Sequence, residues 1–377
     1  MNQLVQENLF DDIYPQEPLT EGIKYAGSKK KLLPQILWLA GKTNAKVVLD
    51  GFAGSTRVSQ ALARHGYQVI CNDKAVWSEV FGNCYLRSRP GHSYQSLVKH
   101  LNDCKPLDGW FSLHYGGKPC GDDGENPIKI PWQIHNTRKL DGIREEIDRL
   151  GLEPHEKVTA LTSLILALDK VDSTLGHFSS YLREWSPRSF NTLCLRVPQI
   201  VESKLEHKVV RGDIFQAASN IEADLAYFDP PYGSNNEKMP PSRVRYSAYY
   251  HVWTTICLND KPELFGKVNR RADTRDDASP SIFEEFRRGE QGRFIAVEAV
   301  HRLIQDTSAR YIILSYSSGG RATASELHDV MNEAGKLLEV IEVDYKKNVM
   351  AGMSWTNEWL RDAEEPNREF LFLVEKR

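Results

Sequence analysis

Lys46-Val47-Val48-Leu49-Asp50-Gly51-Phe52-Ala53-Gly54-Ser55-Thr56 sets the architecture of this 377-residue chain. Lys46 to Leu49 has the short apolar form of a buried strand. Asp50 to Thr56 is an acid followed by small residues and two glycines, the form of a turn. Val58 to His65 then reads as a helix stopped by Gly66, and Tyr67 to Cys71 as a second strand ending at Asn72-Asp73. Strand, glycine turn, helix, strand, acid is the order of one half of a doubly wound nucleotide-binding sheet. Such a turn lets backbone approach a polar ligand closely, and it equally serves a plain strand–helix connection. Asp73 stands where these folds grip a ribose diol; its other reading is a cap for the segment starting at Lys74.

Outward from this unit, Leu86 to Glu206 breaks the pattern. It holds a Gly/Pro/Asp-rich loop, Gly116 to Pro131, and two helical stretches, Thr137 to Leu150 and His155 to Asp169. Strand–helix alternation resumes at Lys208-Val209-Val210-Arg211-Gly212-Asp213. Beyond Tyr232 a polar and aromatic region runs to about Pro280, followed by a helix over Ser281–Ile304 interrupted near Gly289 and Gly292. Arg310 to Ser315 reads as a strand, and Leu337 to Val343 with Phe370 to Val374 as a closing antiparallel pair. The expected organisation is a flexible tail (1–20), a ligand-binding domain from 21–85 and 207–377, and an inserted region (86–206).

Composition bounds the class. Hydrophobic residues make up 41% and charged residues 26%, ordinary for a soluble globular protein. No apolar run reaches the ~20 residues of a membrane helix, and the polar, acidic start lacks the blocks of a signal peptide, so a cytoplasmic location is expected. The six cysteines are widely and irregularly spaced, which predicts reduced thiols and no metal site. The net charge of −3 excludes a protein coated in positive charge; a nucleic-acid face would have to be local.

The chemistry is concentrated where the apolar run Ala223 to Phe228 stops on Asp229-Pro230-Pro231-Tyr232. Proline fixes φ and removes a backbone donor, so this turn is stiff and its carbonyls point outward. A carboxylate, outward carbonyls and an aromatic plate at one point suit a planar ring bearing an amino group, such as adenine or cytosine. Upstream, Lys24-Tyr25-Ala26-Gly27-Ser28-Lys29 precedes the helix Leu32–Ala40 and can close over a small molecule, the lysine meeting a carboxylate. Read alone, it is a helix-start loop.

Taken in order, these elements resemble the Dam-type DNA adenine methyltransferases, the alpha-group amino-methyltransferases that use S-adenosylmethionine. The resemblance covers about 20–85 and 208–232, and more loosely 310–374. It implies a Rossmann-like methyltransferase sheet of seven strands, one antiparallel, with a mainly helical target-recognition region at 86–206. It places Tyr25, Ala26, Gly27 and Lys29 beside the methyl donor, Tyr25 standing where the family usually has tryptophan. Asp50, Phe52, Gly54 and Ser55 match the donor-binding turn, with Gly51 in place of the family's proline and Thr56 in place of its second glycine. Asp73 matches the ribose acid, and Gly212-Asp213 a motif near the flipped base, although a strand-end turn explains it equally well. Asp229, Pro230, Pro231 and Tyr232 match the catalytic motif, Asp229 also lying near the donor.

The implied reaction is methyl transfer to the amino group of a flipped adenine in double-stranded DNA. Cytosine-N4 methylation and a catalytically inactive DNA-binding scaffold are the alternatives. A restriction setting, with a nuclease encoded separately, is the expected context. For the DNA face, Lys238, Arg243, Arg245, Lys267, Arg270, Arg271 and Arg275 lie interleaved with Tyr246, Tyr249, Tyr250, His251 and Trp253. Arg183, Arg188 and Arg196 are further candidates in the insertion. Glu206-His207-Lys208 has a nuclease-like acid-x-lysine form but no Pro-Asp partner precedes it at a convincing distance.

Overall fold

The computed structural model describes residues 14–89, 92–117, 130–182, 184–232, 246–275, 281–285, 287–290, 292–344 and 368–377. Seven strands form one sheet: β1 (Val47–Asp50), β2 (Gln68–Asp73), β3 (Lys208–Arg211), β4 (Leu225–Phe228), β5 (Tyr311–Ser317), β6 (Gly335–Asp344) and β7 (Arg368–Lys376). Their order is β6-β7-β5-β4-β1-β2-β3. The pairs β1–β2, β2–β3, β1–β4 and β4–β5 are parallel, while β7 runs antiparallel to both β5 and β6. This is the expected seven-stranded doubly wound sheet with one reversed strand.

The sheet is covered on both faces, as a parallel sheet must be. Alternate residues enter opposite cores. Val48, Val69, Leu225, Tyr227 and Ile313 join one core with α1 (Leu33–Gly41), α2 (Arg57–Arg64) and α3 (Val76–Gly82). Leu49, Ile70, Ala226, Phe228 and Ile312 join the other, with three helices that lie later in the chain. Between β2 and β3 come α4 (Gln95–Asn102), α5 (Trp110–Tyr115), α6 (Ile134–Arg149) and α7 (Pro154–Lys170). Helix α7 is almost wholly buried along Thr159–Asp169 and packs on α3, so this part of the inserted region shares the core of the sheet. After β3 come α8 (Ile214–Asn220), α9 (Tyr246–Tyr249), α10 (His251–Leu258), α11 (Ile295–Asp306) and α12 (Ala324–Ala334). Of these, α8, α11 and α12 line the second core.

One sequence expectation is corrected. The helix foreseen over Ser281–Ile304 is a single 3-10 turn, Ile282–Glu284, followed by α11 from Ile295. Gly289 and Gly292 are not interruptions of a helix. They belong to a turn in which Arg288 bridges Phe294 and lays its guanidinium on that ring, with Gly292 at φ +78. Among the described residues no helix is long and apolar enough to cross a membrane. Cys71, Cys84 and Cys257 are buried free thiols, and Cys194 is exposed.

The topology fixes where a ligand can sit. From β1 the chain steps outward through β2 and β3, then returns to the other side of β1 with β4. The carboxyl ends of β1 and β4 therefore flank a switch point, the place where open α/β sheets leave a crevice.

Candidate active site

Asp50 ends β1 opposite Tyr227 of β4, so the glycine turn and the Asp-Pro-Pro-Tyr turn emerge side by side. Gly51 N–H donates to the Tyr227 carbonyl (2.9 Å), Asn72 Nδ2 donates to the Gly51 carbonyl (3.0 Å), and Ala53 N–H to the Asn72 carbonyl (3.0 Å). The turn is thereby tied to both neighbouring strands. Gly51 is required by space: a Cβ there would stand 2.6 Å from Phe228 Cδ1 and 2.8 Å from Ile214 Cδ1. This accounts for glycine where the resembled family has proline. Thr56 takes the left-handed conformation (φ 61), the backbone state for which the family's glycine is suited.

A cavity of about 600 Å³ opens over these turns. Among the residues singled out by sequence, Tyr25, Gly51, Phe52, Asp73, Gly212, Asp213, Asp229, Pro231, Tyr246 and Arg271 line it. Asp50 does not; it is wholly buried behind the turn and accepts from Ser59 Oγ at 2.5 Å. Burial pushes its carboxyl up to about 7, and the Ser59 hydroxyl opposes this. Gly54, also outside the cavity wall, has φ +48 and lies under the Tyr25 ring. Asp73 does not cap the helix that follows: α3 starts at Val76, and Ala75 is its N-cap, with no side-chain bond there. The Asp73 carboxylate instead ties the two turns, Oδ2 accepting from Gly54 N–H (2.8 Å) and Oδ1 from Ala75 N–H (2.8 Å), and the residue borders the cavity. Burial raises its pKa and these amides counter it. Asp213 caps α8 through Phe215 N–H (3.0 Å) and borders the cavity.

Beyond Asp213, Phe215 stacks on Phe283 (5.5 Å, 9°) and Phe52 meets Phe283 edge-on (5.3 Å), giving the cavity an aromatic wall. At the other end Tyr25 stacks on Tyr250 (4.8 Å, 25°) and leans on Trp77 and Tyr246. Tyr250 Oη accepts from Ala26 N–H (2.7 Å), which pins the tight turn around Gly27 (φ +79). Sequence reasoning had not singled out Trp77, Phe215 or Phe283; alone, each reads as ordinary core.

Asp229 is held from behind. Lys29 Nζ is 3.1 Å from Asp229 Oδ1, contacts Glu369 of β7, and lies 3.5 Å from Tyr232 Oη. Lys29 is only 6% exposed and stands outside the cavity wall. Burial alone would lower its pKa; Asp229, Tyr232 and Glu369 together raise it well above the ordinary value. Burial pushes Asp229 up to about 7, Lys29 pulling it down and Glu369 adding to the rise. Pro230 is buried, and Tyr232 packs on Tyr316 (5.2 Å) with its carbonyl accepting from Arg321 N–H (2.9 Å).

The residues considered for a DNA face divide. Tyr249, Tyr250, His251 and Trp253 are buried in the core, so they are not a stacking surface; Tyr246 alone of that run borders the cavity. Arg271 borders the cavity but is 4% exposed, clamping Asp260 (2.7 Å) and Asp273 (2.8 Å). Arg188 donates to the Asp172 carboxylate (2.9 Å) and the Thr174 carbonyl (2.7 Å). Lys267 is exposed, Arg270 half-buried and bonded to the Thr274 carbonyl. Arg183, Lys238, Arg243 and Arg245 lie outside the described residues.

The site therefore joins a glycine turn, an acid at the end of β2, an aromatic-walled cavity and a half-buried, lysine-backed carboxylate at the end of β4. A family model, D12 class N6 adenine-specific DNA methyltransferase, matches residues 25–282, and the chain belongs to this family. Among individual proteins it is 27% identical over 345 residues to the modification methylase StsI of Streptococcus sanguinis, covering 86% of this chain and 48% of that one. It is 26% identical over 340 residues to the type II methyltransferase M.NlaIII of Neisseria lactamica, covering 86% and 92%. With M.FokI of Planomicrobium okeanokoites it shares 24% over 373 residues, covering 94% and 53%. The chain thus spans about half the length of StsI and M.FokI and most of M.NlaIII.

Proposed function

We propose that this chain is a Dam-type, S-adenosylmethionine-dependent DNA methyltransferase that modifies the N6 amino group of adenine at a specific site. The observation that carries the reading is that Asp229 and Asp73, from different strand ends, face one cavity. That cavity fits the donor: about 600 Å³ lies within the usual range for small-molecule sites. Phe215 and Phe283 offer a flat apolar wall for a purine, Asp73 retains lone pairs for a diol, and Tyr25 with Asp229 offers an electron-rich surface for a sulfonium. When bound, the donor supplies an electrophilic methyl group.

The remaining work belongs to the chain. An exocyclic amine conjugated into its ring is a poor nucleophile. Asp229 and the Pro230 carbonyl would accept its two N–H bonds, draw the lone pair out of conjugation and fix its direction. Tyr232 would stack on the ring of the flipped base. The substrate is double-stranded DNA, contacted through the surface that carries Lys267 and Arg270 and through Arg183, Arg243 and Arg245. The region 86–206, apart from its core helix α7, would supply target recognition. Protection of cytoplasmic host DNA against a separately encoded nuclease is the proposed purpose, consistent with the printed names of the type II relatives.

The test uses DNA, donor labelled in its methyl group, and digestion to nucleosides. Label in N6-methyladenine supports the reading, and label in N4-methylcytosine or none refutes it. Asp229→Ala should abolish transfer yet leave donor binding partly intact; full activity in that variant would remove Asp229 from its role.

A further inference from the structure

We infer that Glu369 is a positioning residue for Asp229, acting through Lys29. The inference rests on the amino-methyltransferase reading and assigns to β7 a part in the site. Glu369 is 5% exposed and comes from the reversed strand of the sheet, 340 residues from Lys29. Lys29 Nζ has three donor directions. Asp229 Oδ1 at 3.1 Å, Glu369 Oε1, and Tyr232 Oη at 3.5 Å surround it.

This arrangement is not what stability alone would select. One ammonium and one carboxylate would neutralise each other in a dry site; a second buried carboxylate adds desolvation cost and repulsion. The excess charge has a chemical use. With Glu369 present, Lys29 is shared, and Asp229 is anchored through Oδ1 without being fully neutralised. Without it, Lys29 would collapse onto Asp229 and compete with the substrate amine for the same lone pairs. Glu369 thus keeps Asp229 an acceptor while Lys29 keeps it in place. Neither Lys29 nor Glu369 lines the cavity, so both act on Asp229 from behind rather than on a ligand.

The titratable groups facing Asp229 are Lys29, Glu369, Tyr25, Tyr227, Tyr232, Tyr246 and Asp50. Glu369 itself faces Lys29 and Tyr232, while the adjacent Arg368 pairs with Glu342 and Asp344. The tyrosines are neutral across the working range, their pKa values being raised by burial, so removing the Glu369 charge leaves Asp229 as the one carboxylate facing Lys29 among the described residues.

The experiment compares the full-length native chain with Glu369→Gln and Glu369→Asp, following kcat/KM for DNA against pH, single-turnover transfer, and donor binding by calorimetry. In Glu369→Gln the acid limb should move to lower pH by about one unit, because Asp229 loses a neighbouring negative charge. Single-turnover transfer on the plateau should fall about tenfold with donor affinity unchanged. Glu369→Asp should return the limb to its native position. An acid limb and plateau rate unmoved in Glu369→Gln overturn the role of Glu369 while the native chain still methylates DNA. Failure of the native chain to transfer methyl groups overturns the parent reading, and this inference with it. If Glu369→Gln does not fold, Glu369→Asp decides. It keeps the charge but shortens the reach to Lys29 by one methylene, so transfer should fall at an unmoved limb; an undiminished rate overturns the proposal.

Discussion

Replacing Asp50 by asparagine separates the cost of its buried charge from its value as an anchor. Asp50 is 0% exposed, one oxygen accepts from Ser59 and the other has no partner. Its carboxyl is held at about 7, chiefly by burial, against ~3.9 in an unfolded chain. The folded state therefore holds a proton that the unfolded state releases between those values, and stability falls as pH rises through that window. At about 1.4 kcal/mol per pH unit, the loss between pH 5 and pH 8 is about 3 kcal/mol, levelling off above 7. Asp50→Asn removes this slope. It leaves the new Nδ2 without an acceptor, a cost of about 1–3 kcal/mol at any pH. The variant should therefore be less stable than the native chain at pH 5 and should match or exceed it at pH 8. Urea unfolding of both proteins without donor at pH 5, 6, 7 and 8 measures the difference. A stability difference that is constant across this range would refute the assignment of a raised pKa to Asp50.

Gly51→Ala should cost about 1–3 kcal/mol through overpacking against Phe228 and Ile214, and should weaken donor binding because Phe228 leads directly into Asp229. Denaturant unfolding and calorimetry check it; an unaltered stability and affinity would show that the turn has room to spare. Arg271→Met should lose only about 1–2 kcal/mol, since the Asp260 and Asp273 carboxylates it clamps retain access to water. The same variant should leave the slope of DNA affinity against salt unchanged, and a slope reduced by one counterion would make Arg271 a phosphate contact.

The parts of this protein that were legible in its sequence are those made by neighbours in the chain. Lys46 to Asp73 specifies strand, turn, helix and strand through its own apolar period and its glycines, and the structure places β1, α2 and β2 within a residue or two of those bounds. The last strand was legible for the same reason, as the unbroken apolar run Phe370 to Val374, while its reversal was what the family resemblance implied. Ser281–Ile304 was misread because its glycines were weighed as helix breaks, when the Arg288–Phe294 bridge makes the segment a turn. The basic and aromatic run after Tyr232 misled in another way. Composition states that tyrosine, tryptophan and arginine are present, but not whether their planes face water, and Tyr250, Trp253 and Arg271 face inward.

By itself, then, the sequence determined a doubly wound sheet and the residue types at its strand ends, because backbone preference and periodicity act over a few residues. Tertiary structure decided which of those residues share a cavity, that Asp50 supports the turn from behind, and that Lys29 is divided between Asp229 and Glu369. Those outcomes depend on strand order and on burial, which bring together groups hundreds of residues apart and set the charge each can hold.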